Sequence, residues 1–510
     1  MSISEESSDP PGSPGLLLLS VFLVATCGLI YELIAGALAS YLLGDSIFQF
    51  STIIGDYLFA MGVGSYLAQY LGRKGPEVDF VRLQNGIALI GGFSAPLMHL
   101  AFSYTNSFRF VLYLLVFLVG LLVGAEIPLL MTVLKKHYGF RQLVSRVLAL
   151  DYLGALLASL IFPLVLIPQL GLIRTSLACG LVNSAVAWVS LELFRVRGLA
   201  MRLQTALVAA LLVAGVAASD LITRFAEEGL YADPIILSRT TSYQRLIVTR
   251  GHQETRLYIN GNLQFSSRDE YRYHEALVHP ALCSLERPAK VLILGGGDGL
   301  AAREVLRYPQ VSTVTLVDLD PAMTALFRDH RQLAELNQGA LADPRLRVVN
   351  ADAFIWARQA TDRYDAILVD FPDPSNYAVG KLYTQSFYAG LRPLLKPEGA
   401  LAVQCTSPLF ARQSYWCIQA TLRAAGWKVR PYHVYVPSFG EWGFALAGLV
   451  GEPRPAATRL PAGLRYLGAD TVDELFRFPL DMSPVPTQIN RLFDQVLVRY
   501  YESDWRSLVE

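Results

Sequence analysis

The stretch VLILGGGDGLAAREVL, Val291 to Leu306, decides the fold: a short apolar run closes on a glycine-rich turn that opens a helical segment. The alternation continues downstream. The runs TVTLVD (313–318), LRVVN (346–350), AILVD (366–370) and ALAVQ (400–404) each lead into a helical segment. This pattern predicts a Rossmann-like, doubly wound α/β domain over 286–450. Upstream, SRTTSYQRLIVTR (238–250) and RLYINGNLQF (256–265), with an Asn260-Gly261 turn, predict a small antiparallel β domain and linker over 220–285. Residues 451–510 form a C-terminal extension, Pro-rich and then amphipathic, in which no chemistry is legible.

In an open parallel sheet, ligands bind beyond the carboxyl ends of the strands. Four of those ends are acidic here: Asp298 within the turn Gly295-Gly296-Gly297-Asp298-Gly299, then Asp318 with Asp320, then Asp352, then Asp370 with Asp373; the fifth closes on Gln404. One such acid is ordinarily a helix cap. Acids at four successive ends line a mouth suited to a cation. Asp318, about 20 residues beyond the turn, stands where a carboxylate takes both hydroxyls of a ribose, which fits a dinucleotide or an adenosyl nucleoside equally. Asp298 separates the two, because a carboxylate inside the loop repels a pyrophosphate seated on the helix N-terminus. It also repels the carboxylate of an S-adenosylmethionine tail, and attracts a tail that ends in an ammonium alone. The residues point to an adenosyl sulfonium whose amino-acid tail has lost its carboxylate.

Across 510 residues, 43 Lys plus Arg balance 43 Asp plus Glu, which excludes the basic excess of a nucleic-acid binder. The first 219 residues hold only 12 of the cations and 11 of the anions. Seven apolar stretches there, 16–43, 47–71, 83–105, 109–134, 144–168, 171–194 and 203–219, predict a seven-helix transmembrane bundle over 16–219 behind a disordered N-terminus, 1–15. One set of loops carries Arg73, Lys74, Arg82, Lys135, Lys136, Arg141, Arg146, Arg195, Arg197 and Arg202; the other carries Arg109 and Arg174. Cations near span ends are retained on the cytoplasmic side. The expected orientation is an N-terminus outside and a catalytic domain in the cytoplasm, with the seventh stretch the weakest span. Glu32, Asp56, Glu126 and Asp151 lie in or beside spans and are expected to face the bundle interior, since a carboxylate in lipid costs at least about 2.5–3.5 kcal/mol. Gly62 with Gly64 and Gly120 with Gly124 suit close helix packing. Five cysteines without a C-x-x-C pair suggest buried thiols rather than disulfides or a zinc site.

The set GNLQFSSRDEYRYHEALVHPAL (261–282), VLILGGGDGLAAREVL, VDLDP (317–321), NADAF (350–354), ILVDFPDP (367–374) and KLYTQSFY (381–388) resembles the polyamine aminopropyltransferases, the spermidine synthase family. The front half resembles the family's membrane-bound bacterial branch through YELIAG (31–36), GDYLFAMGVGSYLA (55–68) and GAEIPLL (124–130). The resemblance implies transfer of an aminopropyl group from decarboxylated S-adenosylmethionine, a co-substrate rather than a resident cofactor. The acceptor is an amine, expected to be putrescine giving spermidine, and methylthioadenosine is released. It implies Asp370 as proton acceptor, Asp373 as the acid that helps hold the amine, and Asp298 and His274 beside the polyamine or aminopropyl chain. Tyr273 and Gln404 match lesser substrate contacts. For the nucleoside it implies Gln264 at the thioadenosine, Asp318 at the ribose, Asp352 and Ala353 on the adenine side, and Gly295 and Gly297 in the turn. An ammonium has no lone pair, so attack beside a sulfonium requires loss of a proton to a group in hydrogen-bond reach, and no metal is needed.

Asp318 stands where glutamate is common, and Leu300, Ala353 and Phe371-Pro372 also depart from the family pattern, which bears on amine choice. SFGEWGF (438–444) is expected to be an aromatic wall, and PDPSNYAVGKLY (372–383) a lid. A lipid bilayer and a second copy of the chain are the expected partners, with no nucleic acid. The competing reading is a polyamine-binding membrane sensor or transporter, motivated by the four acids of the bundle.

Overall fold

The structure is a computed structural model that describes residues 14–43, 46–71, 75–105, 107–135, 139–196, 198–241 and 243–509. It divides into two compact units, Met1–Ala232 and Asp233–Glu510. Arg73, Lys74, Lys136, Arg197 and nearly all of the predicted disordered N-terminus lie outside the described residues.

The first unit is helical: α1 (Pro14–Leu43), α2 (Ser46–Leu67), α3 (Pro76–Tyr104), α4 (Phe108–Leu134), α5 (Phe140–Ile161), α6 (Ile167–Leu193), α7 (Leu199–Ala217) and α8 (Ser219–Glu228). Among the described residues, five stretches are long and apolar enough to cross a membrane: Gly15–Ser40, Pro76–Tyr104, Phe108–Leu134, Arg141–Leu193 and Leu199–Ala217. Two features depart from the seven expected stretches. The fifth and sixth are joined through a π-helical turn, Phe162–Leu166, and a break at Gly171, whose φ of 72° suits glycine. α2, which carries Gln49, Ser51, Thr52 and Asp56, is not among the five.

Of the predicted glycine contacts, Gly64 and Gly124 let α2 and α4 touch. A Cβ at Gly124 would stand 2.2 Å from the Met61 carbonyl oxygen, and one at Gly64 would stand 2.0 Å from that of Leu121, whereas Gly62 faces open space. Glu126 is 4% exposed and accepts a hydrogen bond from the Gln84 amide. Glu32, Asp56 and Asp151 are only half-buried.

The helix path bears on the expected orientation through the end at which each loop lies. Phe80 packs on Phe194 at the end that holds Arg82, Arg195 and Arg202. At the other end Arg174 pairs with Asp220 at 2.7 Å, and Ser103 and Tyr104 donate to the carbonyls of Ala226 and Phe225. The chain therefore leaves the bundle at the Arg109 and Arg174 end, opposite the cation-rich loops. An odd number of crossings separates the two termini of a bundle, so a rule that puts those loops in the cytoplasm puts the N-terminus there too and the exit outside.

The second unit has two sheets. β1 (Ile235–Thr240), β2 (Arg245–Arg250), β3 (Thr255–Ile259) and β4 (Asn262–Ser266) form an antiparallel meander. Its last turn has Asn260 and Gly261 at φ 50° and 81°, the left-handed pair that an Asn-Gly hairpin uses. The larger sheet contains β5 (Lys290–Gly295), β6 (Thr313–Asp318), β7 (Leu346–Asn350), β8 (Tyr364–Asp370), β9 (Leu395–Gln404), β10 (Lys428–Val436) and β11 (Gly440–Gly448). Their order is β10-β11-β9-β8-β5-β6-β7, with β5 to β9 parallel and the β10–β11 hairpin antiparallel at one edge.

Continuous apolar strands form because both faces are covered. Val291 and Ile293 of β5 enter one core with Ala276, Leu277 and Leu300; Leu292 and Leu294 enter the other with Tyr388, Leu391 and Ile418. Each such fully buried side chain contributes about 1.5–3 kcal/mol. The helices are α9 (Glu270–Cys283), α10 (Leu300–Val305), α11 (Pro321–Asp329), α12 (Arg331–Leu336), α13 (Ala353–Gln359), α14 (Tyr377–Gly380), α15 (Gln385–Leu391), α16 (Arg412–Ala424) and α17 (Val496–Val509). The strand order reverses between β5 and β8, which opens a crevice beyond their carboxyl ends.

Candidate active site

The crevice is built by backbone that only glycine can supply. β5 and β8 pair in register up to Gly295 and Asp370. Gly295 and Gly296 then turn with φ 85° and 65°; a Cβ on Gly295 would stand 2.1 Å from the Asp370 carbonyl oxygen, and one on Gly296 3.0 Å from its carboxylate Oδ2. The glycine turn thus lies directly against Asp370.

Asp370 accepts a hydrogen bond on Oδ1 from the Tyr273 hydroxyl at 2.7 Å, while Oδ2 has no hydrogen-bond partner among the described residues. Burial pushes its carboxyl above the usual range, against the pull of His274 and Tyr273. Asp298 is 8% exposed and accepts from the Leu300 N–H at 2.9 Å. Burial pushes it up to about 6; His274 pulls it down and Asp370 adds to the rise. Both carboxylates therefore share the field of one histidine.

His274 projects from α9, with Nδ1 at 2.8 Å from Glu270 Oε2 and 2.9 Å from the Glu270 carbonyl. Burial opposes its charge, yet Glu270, Asp298 and Asp370 together raise it to about 9. Glu270 is in turn gripped by Arg303 through two bonds of 2.9 Å, and Arg303 reaches Glu304, which also meets His279. This buried chain, anchored on α9 and α10, has no motif at fixed spacing and stays hidden in the sequence.

Asp373 takes hydrogen bonds from Thr406 (3.1 Å) and Tyr501 (3.0 Å) on Oδ2 and from Gln404 (3.4 Å) on Oδ1. Burial pushes it up to about 6 against these donors. Gln404 is fully buried and also donates to the Phe371 carbonyl (2.6 Å) and Tyr383 hydroxyl (2.5 Å), so its amide supports Asp373 from behind. Thr406 holds φ 60°, a costly conformation for a β-branched residue. Tyr501 lies on α17, in the extension where the sequence shows no chemistry, and its contact corrects that expectation.

The nucleoside side divides differently. Asp318 accepts from Gly297 N–H (3.1 Å) and Asp320 N–H (2.9 Å), and burial pushes it up to about 6. A Cβ on Gly297 would stand 2.7 Å from the Asp318 Cγ. Asp320 caps α11 through Ala322 N–H and takes bonds from Thr241 and Gln244, which pin the small sheet to the large one. Asp352 caps α13 through Phe354 N–H and pairs with Lys381 at 2.6 Å; burial opposes the effect, yet that bond holds it below the usual carboxylate range. Lys381 thus tempers the acidity of the mouth. Ala353 opens α13, and Gln264, half-buried on β4, donates to the Asn262 carbonyl. Around Tyr273 stand Phe439 and Phe444, with ring centroids 6.4 and 5.3 Å away, and Phe439 meets Trp442 at 5.1 Å. In 372–383, Asn376 caps α14, and Asn490 of the extension donates to the carbonyls of Gly380 and Tyr383.

The arrangement is a strand-end crevice with four carboxylates of raised pKa, an imidazolium and an aromatic side, suited to a cationic ligand. Residues 270–453 match the Spermine/spermidine synthase domain family. A polyamine aminopropyltransferase of Leptospira interrogans is 51% identical over 498 residues, 97% of this chain and 99% of the relative. Polyamine aminopropyltransferase 2 of Ralstonia nicotianae is 54% identical over 505 residues, 97% of this chain and 99% of the relative. A crystal structure of spermidine synthase with the transition state analogue AdoDATO aligns at 24% identity and TM-score 0.45, over 48% of this chain and 85% of that one. With near-full-length relatives at this identity, the chain belongs to the polyamine aminopropyltransferase family and is an enzyme of that class.

Proposed function

We propose that this enzyme transfers an aminopropyl group from decarboxylated S-adenosylmethionine to a diamine, putrescine or one close to it. The observation that carries this reading is the Asp370 carboxylate: one oxygen is fixed by Tyr273 and the other stands at the glycine turn without a donor among the described residues, within the field of Asp298 and His274. The amine nitrogen attacks the methylene beside the sulfonium, the carbon–sulfur bond breaks, and sulfur keeps the electron pair as it leaves in neutral methylthioadenosine. The proton goes to Asp370 Oδ2. Asp298 and Asp373 hold the cationic chain, and Asp318 takes the ribose hydroxyls. Asp352, Ala353 and Gln264 border the base and thioether. Position and a negative field are what the protein adds, since the sulfonium is already a good leaving group. The long apolar helices of the front unit support a reading in which the enzyme is anchored in a lipid bilayer, with α1 to α7 as seven crossings.

The test is a product assay on detergent-purified protein with decarboxylated S-adenosylmethionine and a panel of diamines and spermidine, read by mass spectrometry. Wild type is expected to form product, and Asp370→Asn to lose at least about 100-fold, the usual contribution of a positioned base. Nucleoside binding without product from any amine would overturn the reading in favour of a polyamine sensor or transporter.

A further inference from the structure

Asp373 is held by a residue that the catalytic domain does not contain. Tyr501 comes from α17, outside the matched span of 270–453, and its hydroxyl donates to Asp373 Oδ2 at 3.0 Å. α17 is locked where it lies. Asp504 accepts from the Ser414 N–H (3.0 Å) and hydroxyl (2.8 Å), and the Asn490 carbonyl accepts from the Gln385 N–H at 2.9 Å. Gly380 is bare because a Cβ there would stand 2.7 Å from Val498. Tyr501 and Trp505, one helical turn apart, present one aromatic face: their rings lie 5.9 Å apart, and Trp505 meets Phe410 at 6.4 Å. That face continues the loop that carries Thr406, the other donor to Asp373 Oδ2.

We propose that α17 is the outer wall of the acceptor pocket and that Tyr501 sets which amine is accepted. The inference rests on reading Asp373 as the acid that holds the amine. Tyr501 then has two separable parts. Its hydroxyl fixes the rotamer of Asp373 and favours the ionised form, so the carboxylate meets an ammonium without reorganising. Its ring limits how far a chain can extend past Asp373. It is a positioning and specificity residue, because no reacting atom touches it.

The experiment compares full-length wild type, Tyr501→Phe and Tyr501→Ala in steady-state kinetics with diamines of increasing length and with spermidine, and in calorimetric binding of the same amines. Tyr501→Phe is expected to raise the amine KM about tenfold, the worth of one hydrogen bond to a charged group, with a much smaller effect on kcat and none on the donor KM. Tyr501→Ala is expected to shift the kcat/KM preference toward longer amines. Amine constants within twofold of wild type in both variants, or an equal loss for amine and donor, would overturn the inference. If wild type forms no product at all, the catalytic reading fails; amine binding that is weakened about tenfold in Tyr501→Phe still supports the wall, and unchanged binding overturns it.

Discussion

At the residue scale, the site stores free energy in groups that are in the wrong protonation state for a folded interior. Asp298 is raised from 3.8 to about 6 chiefly by burial. As pH rises between those values the unfolded chain ionises first, so the folded state loses stability, and the loss is complete above about 6. Asp298→Asn keeps the oxygen that accepts from Leu300 N–H and removes this cost. Its thermal midpoint is expected to rise by a few degrees at pH 8 and to stay unchanged at pH 4, on the order of 1 kcal/mol, while transfer falls. His274 has the same sign of pH dependence, although here the fold favours the charged form: raised from 6.5 to about 9, it contributes stability below 6.5 that is lost as pH rises through about 9. The amine kcat/KM should therefore climb through about 6 as the carboxylates ionise and bend down near 9 as His274 loses its proton. His274→Gln should remove the upper bend alone; a profile in which both limbs persist would show that His274 does not set it.

At the element scale, the strands were legible because each is a short apolar run ending in a turn or an acid, and the acids at those ends are the ones that gather in the crevice. At Asp320 a cap and a ligand-binding acid look alike in one dimension; the bonds from Thr241 and Gln244, far upstream, show a cap that also fastens the small sheet. Tyr501 was illegible for the reverse reason, since its partner lies 128 residues away and no spacing rule joins them. The helix pairs of the first unit show the same limit, as Gly62 and Gly64 are equal in sequence and unequal in space. A helical glycine replaced by alanine ordinarily gains about 0.5–1 kcal/mol. Gly62→Ala should therefore be neutral or mildly stabilising, whereas Gly124→Ala, driven into the Met61 backbone, should cost about 1–3 kcal/mol. Thermal unfolding in detergent distinguishes them; equal midpoints for the two variants would mean that α2 and α4 are not packed through Gly124.

At the scale of the whole molecule, charge and path have to be read together. The contrast of ten loop cations against two was legible in the sequence, but the side on which the chain exits depends on how many helices cross, and that number is a property of the fold. The pairing of Arg174 with Asp220, and of Tyr104 with the Phe225 carbonyl, brings the last helices of the bundle to the cation-poor end. If α1 to α7 all cross a membrane, the start of α1 and the chain's exit after α7 lie on opposite faces, and the cation rule puts the start of α1, which shares a side with the cation-rich loops, in the cytoplasm. Reporter fusions active on only one side, placed at residue 1 and at residue 510, are expected to give opposite answers. Agreement between them would require an even number of crossings, and α2 is the helix to suspect, because it carries Gln49, Thr52 and Asp56. In that case both ends would face away from the cytoplasm, because the exit stays at the cation-poor end.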